Sequence, residues 1–187
     1  EVLVWDAAAG RAEAWTAGTV VLALPLFVAA RIVDRPPAAL AEAVAQMAYA
    51  PWLVANLQID EPLLDRPGAP PSWDNVVYGS AGHRALPPAD RPALLAGSAA
   101  DWTRRVLEDL APAHPDLPRR LRHAALMRWG HGMVIPRPGL QRHPALAALR
   151  AQRGRLRFAH ADLGGCSLFE ESFTAGCEVV ATAPRAE

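Results

Sequence analysis

Two carboxylates, Asp162 and Glu170, flank the glycine-containing loop Leu163-Gly164-Gly165-Cys166-Ser167 near the C-terminus. Carboxylates accept hydrogen bonds from hydroxyl groups, so this pair suits the hydroxyls of a ribose or of a reduced sugar chain. Arg155 to Asp162 reads as a short strand before the loop. Leu168-Phe169-Glu170-Glu171 opens an apolar helix that runs towards Val180. A strand, a glycine loop and a helix start together present backbone N–H groups and the positive end of a helix dipole, a seat for a phosphorylated cofactor. The competing reading of Glu170-Glu171 is acidic complementarity at a helix start, worth ~0.3–1 kcal/mol.

A second centre is His131, in Trp129-Gly130-His131-Gly132. Glycine within a strand marks close approach of a ligand or of another backbone, and histidine can manage a proton at neutral pH. The plainer alternative is a histidine hydrogen-bonded at a sheet surface. The six histidines, His83, His114, His123, His131, His143 and His160, show no tight metal-ligand spacing, so no metal site is expected. Ser167 and Ser172 lack a Gly-x-Ser-x-Gly context, which argues against hydrolase chemistry. Trp5, Trp15, Trp52, Trp73, Trp102 and Trp129 read as core or interface anchors.

The elements that must position these groups follow from periodicity and punctuation. Val2 to Trp5 and Ala12 to Thr16 form a hairpin about Ala9-Gly10-Arg11. Thr19 to Leu24 is a strand buried on both faces, running into a turn at Pro25. Pro36-Pro37 precedes a helix from Ala38 to Tyr49. Trp52 to Ile59, Asn75 to Tyr78 and Ala124 to Ile135 are strands, with Pro-rich loops at 61–72 and 79–90. One helix covers Arg91 to Leu110, another starts at His114-Pro115-Asp116, and a short one spans Pro144 to Gln152. The expected fold is α/β to α+β, with a discontinuous layer of residues 1–33 and 154–187 and an inserted mixed-sheet unit, 34–153.

The composition excludes some classes. The chain has 187 residues, 51% of them hydrophobic, and a formal net charge of zero. It can build a sizeable core and carries no nucleic-acid or membrane-surface footprint. All 19 basic residues are arginine. Cys166 and Cys177 read as free thiols. The apolar run from Val20 to Ala30 is shorter than the ~18 residues of a membrane span and is broken by Pro25. A cytoplasmic protein is expected. The strand-like start without Met suggests a fragment, an excised domain or a numbering that omits a preceding segment.

Taken in order, these motifs resemble the C-terminal half of FAD-dependent amine oxidase-like oxidoreductases. Ala17-Gly18-Thr19-Val20-Val21-Leu22-Ala23-Leu24-Pro25 resembles the family's strand ending in an apolar-x-Pro turn. Phe158-Ala159 resembles its closing Phe-Ala-Gly-Glu strand, with Asp162 in the place of the family acid after a small shift. Glu170 stands six residues before Gly176, as in the family's later helix start. The intervening segment, including Trp52–Asp60 and Met127-Arg128-Trp129-Gly130, resembles the substrate domain in length and order.

The resemblance implies FAD as cofactor. It implies cofactor contacts from Ala23, Leu24, Pro25, Asp162, Leu168, Phe169 and Glu170. For a hydride-transfer enzyme, His131, by its place between Gly130 and Gly132, is the candidate catalytic residue that manages the released proton. The resemblance also implies two partners, a small-molecule substrate and an N-terminal dinucleotide-binding half of the same protein. Three departures stand out. The pyrophosphate-cradling Gly-x-Gly-x-x-Gly is absent, so the chain alone should bind FAD weakly and be inactive. The family's water-holding Lys has no counterpart, because the chain has no Lys. No aromatic pair flanks the expected flavin face. A flavin oxidoreductase of unassigned substrate is therefore the implied activity. The alternative is a non-catalytic small-molecule-binding or assembly domain that retains the fold.

Overall fold

A computed structural model describes residues 1–61, 63, 76–79 (backbone) and 90–182. These residues form a mixed α+β fold with seven α-helices and three small sheets. They fall into two compact units, residues 1–47 with 136–187, and residues 48–135. The breaks lie at 47/48 and 135/136 rather than at 33/34 and 153/154. The difference arises because two helices, 38–46 and 144–151, pack on each other and remain in the discontinuous unit.

In the discontinuous unit, strands β1 (Val2–Asp6) and β2 (Arg11–Trp15) pair antiparallel, as expected. The turn is set by Asp6, whose Oδ1 accepts from Ala8 N at 2.9 Å and Ala9 N at 3.0 Å, and by Gly10 at φ 62°. Strand β3 (Val20–Leu22) is shorter than the expected Thr19–Leu24 and is not buried on both faces: Leu22 is buried while Val21 is 44% exposed. The apolar run does not end in a turn at Pro25. Pro25 instead caps helix α1 (Leu26–Ile32), because its fixed φ suits a helix start and Leu26 and Ala29 bury one helical face. A short apolar run fits strand and helix alike, which is why α1 escaped the periodicity reading.

Helix α2 (Ala38–Gln46) ends before the expected Tyr49, because Tyr49 opens the ladder of the next strand, paired with Val134. Leu40 and Ala43 of α2 are buried, as are Ala145, Leu146 and Leu149 of the later helix against which it packs.

The other unit is an antiparallel sheet of order β5-β4-β6, with β4 Tyr49–Ile59, β5 Val76–Gly79 and β6 Leu121–Val134. Alternation in β4 is as the sequence suggests: Leu53 and Ala55 are buried, Asn56 and Gln58 exposed. Leu53 and Ala55 join Leu94, Trp102 and Val106 in the core, with Leu57, Leu110 and Leu126 packed around them. The single helix expected over Arg91–Leu110 is two, α3 (Arg91–Ala96) and α4 (Ala99–Leu110). Two local features break it. Ser98 accepts from Asp101 N at 3.1 Å as an N-cap, and a Cβ at Gly97 would run into the Trp102 indole nitrogen. The start at His114-Pro115-Asp116 yields only one turn, α5 (Leu117–Arg120).

Helix α6 (Pro144–Ala151), strand β7 (Leu156–Phe158) and helix α7 (Phe169–Ala181) complete the chain. Most of the two Pro-rich loops, together with Trp73, Asn75 and His83, lies outside the described residues. Of the tryptophans described, only Trp102 is a core residue; Trp5, Trp15 and Trp129 are 66%, 62% and 52% exposed. No helix among the described residues is long and apolar enough to cross a membrane.

Candidate functional site

Strands β3 and β7 run parallel in register, Val20 against Leu156, Val21 against Arg157 and Leu22 against Phe158. Their carboxyl ends therefore lie side by side, and Ala159 N donates to Leu22 O at 3.0 Å. Crevices outside the carboxyl ends of parallel strands are where open α/β sheets bind ligands. Here that rim consists of Ala23-Leu24-Pro25 after β3 and Ala159-His160-Ala161-Asp162 after β7.

The strand expected to reach Asp162 stops at Phe158, and Ala161–Gly164 is a 3-10 turn. His160 shapes that turn: its Nδ1 accepts from Asp162 N at 3.1 Å. Asp162 is fully buried, and its Oδ2 accepts from Leu26 N at 2.9 Å. This carboxylate so supplies the side-chain cap that Pro25 cannot give α1, and it ties the two rim turns together. Its Oδ1 lies 3.3 Å from His160 Nδ1.

The glycine pair in the loop answers to packing in the chain itself. Gly165 sits at φ 71°, and a Cβ there would meet Gln141 N at 3.3 Å. A Cβ at Gly164 would meet the Glu171 carboxylate. Arg150 donates to Leu163 O and, at 3.1 Å, to Gln141 O, which pins the loop to the segment before α6. Burial and the nearby Glu171 push the Cys166 thiol up from its ordinary value, so it stays protonated.

Leu168 caps α7 without a side-chain hydrogen bond, and Glu170 and Glu171 lie in the first turn. The start of this helix faces outward, with Leu168 53% and Phe169 77% exposed. Phe169 stacks on Phe173 with ring centroids 6.0 Å apart.

Sequence reasoning missed Arg157, which is 2% exposed. It donates to Gly154 O, Arg153 O and Val179 O at 3.3 Å and to Thr182 Oγ1 at 3.0 Å. A cation thus closes the carbonyl end of α7. The available signal was a lone charge between Leu156 and Phe158 in an otherwise apolar strand.

His131 belongs to the other unit. It is exposed on β6, its ring edge-on to Tyr49 with centroids 6.0 Å apart. The glycines beside it are required by side chains: a Cβ at Gly132 would come 2.5 Å from Trp52 Cβ, and one at Gly130 would come 3.3 Å from Arg91 Cδ. Among the described residues no group of three or more His, Cys, Asp or Glu could hold a metal ion. No protein-family model matches the chain, and no curated protein matches it either.

Proposed function

We propose that this chain is the C-terminal portion of an FAD-dependent oxidoreductase. The discontinuous unit supplies one wall of the FAD site and the β4–β6 unit the substrate pocket. One observation carries the reading: two parallel strands end together in turns that a buried carboxylate clamps to each other. In this reading Ala23, Leu24 and Pro25 line the wall, and Leu168, Phe169 and Glu170 at the start of α7 face the flavin or its phosphate chain. Asp162 fixes the rim by holding Leu26 N, and His131 handles the substrate's proton. FAD would supply the hydride-accepting chemistry, and Ala23, Leu24, Pro25 and the start of α7 are the residues that would hold it.

Parallel strands belong in sheets covered on both faces, and a pair as short as β3 and β7 is a piece of such a sheet. That supports the N-terminal dinucleotide-binding half as the partner that completes the layer and brings the pyrophosphate loop.

FAD titration followed by flavin fluorescence tests the reading. Residues 1–187 alone should bind FAD weakly, and the two halves together should bind it tightly. Because Asp162 holds Leu26 N rather than the cofactor, Asp162→Ala should loosen the rim and weaken that binding at a temperature where the variant remains folded. Arg35→Ala, at a side chain 95% exposed, serves as the control. Equal dissociation constants for the wild type and Asp162→Ala would remove the rim from the site.

A further inference from the structure

The register of β4 and β6 shifts between Ala50 and Trp52. Ala50 pairs with Met133 and Trp52 with Trp129, so the single residue Pro51 on β4 stands against Gly130, His131 and Gly132 on β6. The sequence supplies the cause. Proline has no N–H to give to a ladder, so the strand opposite it has no donor to meet and can bow outward. A bulge re-aims the side chain that it carries, which is why bulges gather beside active sites. Here the residue at its centre is His131.

The bulge is held from two sides. Trp52 closes one of them, since a Cβ at Gly132 would come 2.5 Å from Trp52 Cβ. On the other, the Arg91 stem lies against Gly130, and its Nε donates to Gly130 O. Nη2 of the same guanidinium donates to Tyr49 O at 3.5 Å. A planar fork of fixed donors suits such a bridge between two carbonyls better than a point charge does. One cation so joins the bulge on β6 to the residue of β4 whose ring stands edge-on to His131, with centroids 6.0 Å apart. Tyr49 is 7% exposed and offers a fixed wall, whereas His131 itself is exposed.

We infer that Arg91 is the positioning residue for His131: by tying Gly130 O to Tyr49 O, it sets the imidazole against the Tyr49 ring and leaves it open to a substrate. The inference rests on the proposed role of His131 as the group that handles the substrate's proton. A base held in one orientation has already lost the rotational freedom that proton transfer would otherwise cost.

NMR of residues 1–187 with isotope-labelled histidine and tyrosine tests it, with neither flavin nor substrate present. The wild type should show cross-peaks between the His131 and Tyr49 rings. Its His131 ring resonances should stand apart from those of His123, an exposed histidine on the same strand. Arg91→Met keeps a stem against Gly130 and removes both donors. It should lose the cross-peaks and move the His131 resonances towards those of His123. Arg91→Lys, which can still donate to Gly130 O, should recover part of the cross-peak intensity. Cross-peaks missing from the wild type, cross-peaks unchanged in Arg91→Met, or an Arg91→Lys spectrum no different from that of Arg91→Met would overturn the inference. Should Arg91→Met fail to fold, Gly130→Ala gives the same readout, because its Cβ would press on Arg91 Cδ at 3.3 Å. FAD titration of the joined halves reports separately on the flavin reading, so failure of one is distinguishable from failure of the other.

Discussion

The two units bury charge in opposite ways. In the β4–β6 unit the deeply buried carboxylate, Asp116, meets a side chain of opposite sign, with Arg120 Nε at 2.7 Å. In the discontinuous unit the two buried charges among the described residues, Asp162 and Arg157, turn to the backbone at helix ends. One holds the first N–H of α1 and the other a last-turn carbonyl of α7, each matching the sign of the helix dipole. The two sheets also differ in size. A 14-residue strand paired with an 11-residue one offers a wide face for aliphatic burial, whereas β3 and β7 contribute three residues each. The small sheet is held by directed bonds. Directed bonds fix the geometry of turns.

The largest effect expected is in the β4–β6 unit. Trp102 is 4% exposed, and its Nε1 donates to Leu94 O at 3.1 Å. Trp102→Ala should cost about 3–5 kcal/mol through cavity formation. Chemical denaturation should show the loss, and hydrogen exchange should place it in β4 and α4. A cost below about 1 kcal/mol, measured against the usual range for a buried Trp, would mean that this core is not what holds the unit.

Next in size are the directed bonds of the discontinuous unit. Asp162→Ala and Arg157→Ala should each cost about 1–3 kcal/mol, the penalty for leaving a buried polar group unsatisfied. Their signatures should differ. Asp162→Ala should free the Leu26 amide to exchange while α7 stays protected; Arg157→Ala should fray the last turn of α7 and leave Leu26 protected. Asp162→Asn, which keeps an acceptor oxygen, should restore most of the first loss. Loss of protection spread evenly over the unit in both variants would break the comparison, because apolar packing rather than directed bonds would then be in control.

How far the sequence foretold each unit follows from the same physics. Strict alternation made β4 legible, since a half-buried strand repeats every two residues, and the hairpin β1–β2 was legible from its turn. The helix break at Gly97-Ser98 was overlooked although Ser98 and Asp101 carry the local N-cap spacing; only the packing of Trp102 against Gly97 lay outside the local pattern. Helix α1 was not legible, because its apolar residues suit either period. At the candidate site the rim residues Ala23–Pro25 and Asp162 were visible as motif positions, but not the bond between them. Leu26 N and Asp162 Oδ2 stand 136 residues apart, and no local pattern encodes such a contact. Arg157 was overlooked for a similar reason: two of its partners, Val179 O and Thr182 Oγ1, lie at the far end of α7.

The smallest effect belongs to the surface of the β4–β6 unit, where polar contacts are local and exposed. Ser98 Oγ accepts from Asp101 N and donates to Asp101 Oδ2 at 2.6 Å. The hydroxyl bond holds the Asp101 carboxyl below its ordinary value against an opposing effect of desolvation, with further help from Arg104. A carboxyl whose pKa is lowered by folding stabilises the fold above its unfolded pKa, and that contribution disappears as the pH falls through the folded one. Ser98→Ala should therefore cost about 1 kcal/mol at neutral pH, the usual worth of an N-cap serine. The gap between wild type and variant should narrow in acid, because protonation of Asp101 removes the charge-assisted part of the bond in the wild type. The Asp101 carboxyl should also titrate at higher pH in the variant, as followed by its side-chain carbon resonance. A gap that stays constant into acid would show that the serine acts only through the Asp101 amide. A cost exceeding that of Asp162→Ala would reverse the ranking of the two units, since a local surface cap would then outweigh a buried long-range one.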